Sequence, residues 1–209
     1  MKPTGLWVVK LGGSLAGSPR LSPWLEALSQ TSAVIVPGGG PFADRVRQAQ
    51  ARWHFNDITA HHMAIVAMRQ YGRMLVGLCP KLLAATRLED LARRQNQAVV
   101  WLPSPGILDA AGIPATWDIT SDSLAAWLAG QLHAENLLLV KSVAELDEPT
   151  DGLREIPFAE AADTGWVDLA FDRYAMNQSF QSWLCGPGGH AMQPQAFTEP
   201  ERIFTLLRK

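Results

Sequence analysis

The sequence predicts an α/β protein in which helices cover both faces of a mainly parallel sheet, giving a three-layer αβα sandwich. Short, continuous apolar runs alternate with segments of helical periodicity, and such runs are typical of parallel strands that are buried on both faces. Segments rich in glycine or small polar residues follow several of these runs. Hydrophobic residues make up 47% of the 209 residues and charged residues 18%, which is enough apolar material for a full core.

The predicted elements follow from periodicity and from helix start and stop signals. Strands are expected over 6–11, 33–36, 74–78, 98–102, 137–140 and 182–185. Helices are expected over 21–30, 42–53, 57–71, 88–94, 121–132, 159–165, 167–174 and 200–207. Ser22 is a candidate N-cap ahead of Pro23, and Gly72 is expected to end the long helix. Since no repeat or linker divides the chain, we expect residues 1–209 to form a single domain.

Composition excludes several classes of function. The formal net charge is -2, the pI is about 6.2 and no basic stripe is present, so we expect no nucleic-acid partner. Cys79 and Cys185 are too few and too far apart for a disulfide framework, and they show no metal-ligand spacing. No apolar stretch approaches the ~20 residues that span a membrane. Lys2 and Pro3 do not open a signal peptide, and the chain is therefore expected to be cytoplasmic.

The first segment that could carry chemistry is Lys10 followed, after one leucine, by Gly12, Gly13 and Ser14, directly after the first predicted strand. Glycines let a backbone approach a ligand closely, and successive N–H groups can hold phosphate oxygens. A lysine at a strand end supplies a positive charge for a phosphoryl group. The lysine precedes the glycines, so this is not a Walker A loop. The alternative is a tight turn beside a lysine that extends to solvent.

A second glycine segment, Gly38, Gly39 and Gly40, follows the strand predicted over 33–36. It stands directly before a predicted helix, and a helix N-terminus with its free N–H groups attracts anions. An ordinary loop is the alternative. The third segment is 116–123, where Thr120 or Ser121 could cap the following helix and Asp122 would lie in its first turn. The functional alternative places Asp122 near Lys10, where it would orient cationic groups.

These three segments, in this order, resemble the amino acid kinase family. The resemblance is carried by 9–14, 36–44 and 120–125 and extends to about residue 143, and more faintly to residue 174. Within the family, 57–65, 68–72 and 113–123 are similar to the small kinases of methanofuran biosynthesis, which make a diphosphate from a phosphorylated aminomethyl-furan alcohol. The resemblance implies the amino acid kinase fold, ATP and Mg2+ as cofactors, and a homo-oligomer of unspecified size.

The resemblance also implies residue roles on the nucleotide side and in catalysis. Lys10 would bridge the phosphates in the transition state, and Asp122 would organise that lysine. Gly12, Gly13 and Ser14 would hold the nucleotide phosphates. Lys141, at the end of the strand over 137–140, matches a position on the nucleotide side, although an ordinary strand-end lysine is the alternative.

On the acceptor side, the resemblance implies that Gly38, Gly39 and Gly40 cradle the acceptor and the transferred group. Thr120 and Ser121 are assigned to substrate binding. A histidine of the 57–71 helix would contact the acceptor phosphate, and His61 matches better than His62; adjacent helical residues cannot share one face, so at most one points into the site. An amine on the substrate would suit Asp57 or Asp118.

Two departures from the family pattern leave alternatives open. No Asp-Gly pair occurs over 142–147, and the late lysine of some members has no counterpart; the segment 186–190 stands in that region. The main hypothesis is a kinase that makes a diphosphate from a small phosphomonoester. The alternatives are a kinase of the same fold acting on a carboxylate or carbamate, and a binding module without turnover. Trp24 and Trp53 are candidates for a subunit interface.

Overall fold

One eight-stranded sheet runs through the computed structural model, which describes residues 5–93, 97–148, 152–189 and 195–209. The strands are β1 (Trp7–Leu11), β2 (Val34–Pro37), β3 (Leu83–Ala85), β4 (Val99–Trp101), β5 (Asn136–Val140), β6 (Glu155–Pro157), β7 (Gln181–Cys185) and β8 (Thr205–Arg208). The helices are α1 (Leu21–Ser29), α2 (Gly40–Trp53), α3 (Asp57–Leu78), α4 (Leu88–Arg93), α5 (Pro105–Ala110), α6 (Ser121–Gln131), α7 (Phe158–Asp163) and α8 (Phe171–Ala175). No helix among the described residues combines the length and the apolar character needed to cross a bilayer.

The order of the strands across the sheet is β3-β4-β2-β1-β5-β7-β8-β6. The described pairs are parallel except for β7 with β8, which is antiparallel. Strand β1 lies between β2 and β5. The strands β2 to β4 lie on one side of it and the strands β5 to β8 on the other, so the strand order reverses at β1. Ligands bind at such switch points, outside the carboxyl ends of the strands. The predicted three-layer sandwich around a mainly parallel sheet is confirmed.

The alternation of side chains along β1 separates the two helical layers. Trp7, Val9 and Leu11 are buried in the core on the α1 side, together with Trp24. Val8 is buried in the core on the α6 side. Because successive side chains of a strand point to opposite faces, Lys10 shares the face of Val8. A lysine is therefore buried under α6, in the middle of the sheet, with 6% of its surface exposed.

Helix α3 is longer than predicted, and the third strand lies elsewhere. The segment 74–78 was predicted as a strand, but it forms the last turns of α3, and the third strand is Leu83–Ala85. Gly72 does not end the helix. Its position is close-packed, because an added Cβ would lie 2.7 Å from Leu102 Cδ2 and 3.2 Å from Pro37 Cγ. A glycine inside a helix can serve packing as well as termination, and here it lets α3 approach the sheet.

Two other predictions fail near the chain ends. The C-terminal helix predicted over 200–207 is a single 3-10 turn at Pro200–Arg202, followed by β8, which pairs with β7. Pairing with both β7 and β6 outweighs the weak helical pattern of so short a segment. Helix α1 begins at Leu21 with Arg20 at its N-cap position, so Ser22 lies inside the first turn and does not cap it.

The two glycine loops pack backbone against backbone. An added Cβ on Gly13 would lie 2.3 Å from the Gly40 nitrogen, and one on Gly38 would lie 2.4 Å from the Gly13 nitrogen. Gly40 also has a positive φ of 57°, which favours glycine. The ends of β1 and β2 can approach this closely only because neither loop carries side chains at these positions.

The contact between the loops predicts that Gly38→Ala destabilises the protein by about 1–3 kcal/mol, the usual cost of overpacking. Gly77→Ala is the matched control, because an added Cβ there meets nothing within 4 Å and alanine favours a helix interior by up to ~1 kcal/mol. Urea unfolding of both variants measures the difference. Equal midpoints for Gly38→Ala and the wild type would show that the loops are not tightly packed.

Candidate active site

A buried cluster of three charges lies where β1, β5 and α6 meet. Lys10 Nζ lies 2.9 Å from Asp122 Oδ1, and Lys141 Nζ lies 2.6 Å from Asp122 Oδ2. Lys10 is on β1, Lys141 directly follows the neighbouring strand β5, and Asp122 is in the first turn of α6, which packs over β1. Their side chains are 7%, 13% and 6% exposed, respectively. One carboxylate thus pairs with two ammonium groups, and the charge of Asp168 adds a weaker attraction on Lys141.

Burial and ion pairing set the pKa values of this cluster. Burial acts to raise the pKa of Asp122, but the attraction of Lys10 and Lys141 outweighs it and lowers this pKa to about 2. Burial lowers the pKa of Lys141 to about 8, against the opposing attraction of Asp122. Asp122 is therefore ionised at neutral pH and is a poor proton acceptor. Lys141 changes charge close to the physiological range.

Asp168 holds the start of α6 in place. Its Oδ2 accepts hydrogen bonds from the Thr120 nitrogen at 2.9 Å, from Thr120 Oγ1 at 2.8 Å and from the Ser123 nitrogen at 3.0 Å, and its Oδ1 accepts one from Ser123 Oγ. Thr120 occupies the N-cap position but makes no capping bond with its own side chain. A residue 45 positions away from Ser123 thus fixes the turn that carries Asp122. Sequence reasoning missed Asp168, because no local motif marks a cap that comes from so far along the chain.

The backbone of the glycine loops offers donors next to the cluster. Gly12 and Gly38 are used structurally, since their N–H groups donate to the Val140 carbonyl at 3.2 Å and to the Leu11 carbonyl at 2.8 Å. Gly39 is the N-cap residue of α2, and the first N–H groups of a helix have no partner within it. Pro41 has no N–H, so Gly40 and Phe42 are the backbone donors that the start of α2 could offer to an anion at the carboxyl end of the sheet.

A cavity of about 290 Å³ opens beside these loops. It is lined by Gly13, Ser14, Gly39, Gly40, Ala43, Asp44, Arg47, His61, Ala64, Ile65, Met68, Trp117, Ile119, Thr120, Ser121 and Leu124. One wall is α2, the second is α3 and the third is the segment that leads into α6. Most of the lining is apolar or backbone, with a few polar groups, as is usual for small-molecule sites.

Polar contacts order the wall opposite the glycines. The Trp117 ring carries the Arg47 guanidinium over its face, with Cζ 4.4 Å from the ring centroid. Trp117 Nε1 donates to Gln50 Oε1 at 2.8 Å. Gln50 Nε2 in turn donates to Asp57 Oδ1 at 2.8 Å. Asp57 is thus tied to α2 at the surface, outside the lining of the cavity, and its assigned contact with an amine stays a prediction.

The adjacent histidines differ in position. His61 is 3% exposed and lines the cavity, whereas His62 is at the surface and its Nε2 lies 3.0 Å from Asp109 Oδ1. His61 Nδ1 lies 3.0 Å from the Thr116 carbonyl oxygen. Burial lowers the pKa of His61, so its ring is neutral at pH 7. Of the two candidates, His61 is therefore the one placed to meet a ligand.

The predicted site residues thus fall into three groups and one separate residue. Lys10, Asp122 and Lys141 form the charge cluster. Gly13, Ser14, Gly39, Gly40, Thr120, Ser121 and His61 line the cavity beside it. Gly12 and Gly38 support the loops from behind, and Asp57 lies apart.

Two hydrogen bonds hold the glycine-rich loop that begins at Gly186. Asp147 Oδ2 accepts a hydrogen bond from the Gly188 nitrogen at 2.6 Å, and Trp24 Nε1 donates to the Pro187 carbonyl at 3.0 Å. Trp24 is fully buried, so the prediction that it faces a subunit interface is wrong; Trp53 is 70% exposed. His190, the last residue of this segment, lies outside the described residues.

The fold, the glycine loops and the buried lysines define an α/β protein with a candidate anion site at the carboxyl end of its sheet. The sequence model of the amino acid kinase family matches residues 5–169, and the chain belongs to that family. A relative in Methanocaldococcus jannaschii, [5-(aminomethyl)furan-3-yl]methyl phosphate kinase, is 28% identical over 164 residues, which is 75% of this chain and 74% of that protein.

Solved structures confirm the fold. Uridylate kinase from Archaeoglobus fulgidus superposes with a TM-score of 0.72 at 17% identity and covers 100% of both chains. UMP kinase from Bacillus anthracis gives 0.70 at 13% identity, covering 100% of this chain and 97% of that one. UMP kinase from Ureaplasma parvum gives 0.66 at 14% identity over 100% of both chains. At these identities the likeness establishes the shared architecture.

The contacts of Asp168 predict that Asp168→Ala destabilises the protein by about 1–2 kcal/mol, the cost of losing a strong helix cap. Asp163→Ala is the control, because Asp163 is exposed and lies at the C-terminal end of α7, where a negative charge has no favourable helix dipole. Thermal and urea unfolding of both variants provides the measurement. Equal losses in the two variants would contradict the capping role.

Burial and the ion pair with Asp122 together predict the pH at which Lys141 loses its proton. In 13C NMR of labelled lysine, its ε-carbon signal should titrate near pH 8 in the wild type, assigned by its absence in Lys141→Gln. In Asp122→Asn the midpoint should move lower, because burial remains while the attraction that opposes it is removed. A wild-type midpoint close to 10.5, the ordinary lysine value, would refute the burial of this ammonium group.

Proposed function

We propose that this protein is an ATP-dependent kinase that transfers the γ-phosphoryl group to a small phosphomonoester and releases a diphosphate. The Lys10–Asp122–Lys141 cluster at the carboxyl end of the sheet carries this proposal. In-line phosphoryl transfer depends on positioning and on neutralising charge, with little covalent chemistry for the protein to perform. Two ammonium groups held 2.9 Å and 2.6 Å from one carboxylate are preorganised for that task.

The same cluster favours an acceptor that needs no general base. Asp122, with a pKa of about 2, cannot remove a proton from an alcohol at neutral pH. His61 is the other candidate base. It lies ten residues along α3 from Tyr71, which packs on Gly40 of the second glycine loop. Ten residues of helix span about 15 Å, so His61 is far from the loop where the phosphates would bind. A phosphomonoester, whose second pKa is about 6, is already ionised and needs neither group.

The residues of the glycine loops and of the charge cluster are suited to bind a nucleoside triphosphate. Free N–H groups at the start of α2 and around Gly13 would hold its phosphate oxygens, and Lys10 and Lys141 would balance their charge. Bound Mg2+ supplies further charge neutralisation at the phosphates. The described residues contain no group of three acidic, histidine or cysteine ligands. The ion would therefore be held mainly by phosphate oxygens and water, as is usual for Mg2+.

The acceptor class is supported by the relative from Methanocaldococcus jannaschii, which is named for a phosphate ester of an aminomethyl-furan alcohol. A cavity of about 290 Å³ lies at the small end of the range for ligand pockets and suits an acceptor of that size. We infer that the reaction serves the synthesis of a methanofuran-type one-carbon cofactor in the cytoplasm.

We also expect a homo-oligomer. Trp53 is 70% exposed and Ile58 is 58% exposed, and both lie near the junction of α2 and α3. Large apolar side chains that are exposed together are typical of subunit interfaces.

The proposal is tested by 31P NMR of the purified protein with Mg-ATP and a panel of acceptors. The panel contains [5-(aminomethyl)furan-3-yl]methyl phosphate, isopentenyl phosphate, UMP and a set of carboxylates. We expect a new diphosphate signal with one phosphomonoester, and a loss of at least about 1000-fold in rate for Lys10→Ala, because a transition-state charge contact of this kind contributes several kcal/mol.

Lys81→Ala is the matched control. Lys81 is an exposed lysine paired with Glu26 at 2.6 Å, far in sequence from the cluster, and its loss should leave the rate unchanged. An acyl-phosphate signal with a carboxylate would show that the acceptor is a carboxylate and that the proposed phosphomonoester acceptor is wrong. ATP binding without any product from the whole panel would favour the module without turnover.

A further inference from the structure

The cavity has two ends, and all three of its walls run between them. On α2, Gly40 is at one end and Arg47 lies about two turns further on. On α3, Met68 lies near the glycines, one turn from Tyr71, which packs against Gly40, and His61 lies two turns beyond it. The third wall runs from Ser121, beside Asp122, back to Trp117. The glycine end adjoins the charge cluster, so it is the transfer end, and the opposite end receives the part of the acceptor that does not react.

His61 dominates the chemistry of this distal end. It is 3% exposed, and its Nδ1 lies 3.0 Å from the Thr116 carbonyl oxygen. A carbonyl oxygen can only accept, so Nδ1 must carry the hydrogen. In a neutral ring, Nε2 then bears a lone pair and can only accept. Nε2 is buried and has no hydrogen-bond partner among the described residues.

An unsatisfied acceptor in a buried position costs free energy, and a ligand that supplies a donor recovers it. The charged groups around the ring do not supply one. His62 and Asp109 pair with each other at the surface. Arg47 lies over Trp117, and its Nη1 is 3.7 Å from Asp44 Oδ1, so the charges of Arg47 and Asp44 compensate one another.

We propose that His61 Nε2 accepts a hydrogen bond from a donor on the non-reacting end of the acceptor, and that this contact selects acceptors bearing a primary amine or hydroxyl group there. The inference rests on the proposed function, because it takes the glycine end as the place of transfer. It replaces the expectation that His61 contacts the acceptor phosphate: a neutral ring with its lone pair at Nε2 repels a phosphate dianion, and the reacting phosphate lies at the other end.

The walls between the ends suit the body of such an acceptor. Ile65 and Met68 contribute apolar surface from α3, and Ile119 and Leu124 contribute it from the opposite side. Trp117 closes the distal end with its ring, held in orientation by the bond of its Nε1 to Gln50. A flat, mainly apolar ring with a phosphate at one end and a donor at the other matches this sequence of surfaces.

Steady-state kinetics with three matched acceptors tests the selection. The acceptors are furan-3-ylmethyl phosphates carrying an aminomethyl, a hydroxymethyl or a methyl group at ring position 5. In the wild type, kcat/KM should be at least about 100-fold lower for the methyl compound, because a site built around a hydrogen bond strongly rejects a ligand that lacks it. In His61→Phe, which keeps a ring but no acceptor, this preference should fall to about threefold or less, with the methyl compound turned over within about tenfold of the wild-type rate.

Two further variants sharpen the result. His61→Gln places an amide oxygen near the position of Nε2 and should restore part of the preference. His62→Phe, on the surface next to it, should leave the preference unchanged. An equal loss for all three acceptors in His61→Phe, or a wild-type enzyme that does not discriminate, would overturn the proposal.

Binding measured without turnover separates this inference from the kinase activity. In 15N NMR of the wild-type protein with labelled histidine, His61 should show a protonated Nδ1 and an unprotonated Nε2 at pH 7.5, assigned by His61→Phe. The Nε2 signal should shift when [5-(aminomethyl)furan-3-yl]methanol, which has no phosphate, is added. A protonated Nε2, or no shift at saturation, refutes the proposal whether or not the protein phosphorylates any acceptor.

Discussion

The structure depends on one carboxylate that balances two buried ammonium groups. A lysine is costly to bury in a sheet without a partner, and here Lys10 on β1 and Lys141 directly after β5 share Asp122. Removing an ion from water costs several kcal/mol even after relaxation. The first turn of α6 must therefore stay directly above the ends of β1 and β5. The long-range cap from Asp168 and the apolar packing of α6 against the sheet serve the same placement.

The cluster is also incomplete in a way that suits its proposed chemistry. Two positive charges face one negative charge, and burial already lowers the pKa of Lys141 to about 8. A polyphosphate arriving at the glycine loops would supply the missing negative charge and hold Lys141 in its charged form. In the proposed function, a polyanion would therefore bind where β1, β2 and β5 end, at the switch point of the sheet.

In the proposed reaction, recognition and transfer are separated along the cavity. The glycine loops lie at one end, next to the lysines of the charge cluster, where charge would develop and where no proton would have to be removed. A neutral histidine and a tryptophan stand at the other end, where only shape and a single hydrogen bond are needed. Such a separation would allow the distal walls to change for another acceptor while the transfer end stays the same, in keeping with the variety of functions that a single fold can carry.

Much of this architecture follows from local sequence. The apolar runs of β1, β2 and β5 are continuous apart from Lys10, and helix α2 shows clear periodicity, so their existence and order were predictable. Helix α6 is buried on most of its surface, and its length and composition favour a helix. The site residues predicted on the same grounds are the glycines after β1 and β2, Lys10 ahead of the first glycine segment, and Asp122 in the first turn of an apolar helix. The segments 74–78 and 200–207 were wrongly predicted, since a run of four to eight residues fits either periodicity and its neighbours in space decide between them.

What only the tertiary structure decided is which residues meet. Asp168 caps α6 from 45 residues away, and Lys141 reaches Asp122 only because β5 lies beside β1. Gly72 looked like the end of a helix but is a packing site against Leu102. The sequence by itself determined the layers of the fold and the residue types at the strand ends, because these depend on burial and local backbone freedom. The charge cluster, the two-ended cavity and the orientation of His61 depend on distances between remote segments, which a one-dimensional pattern does not contain.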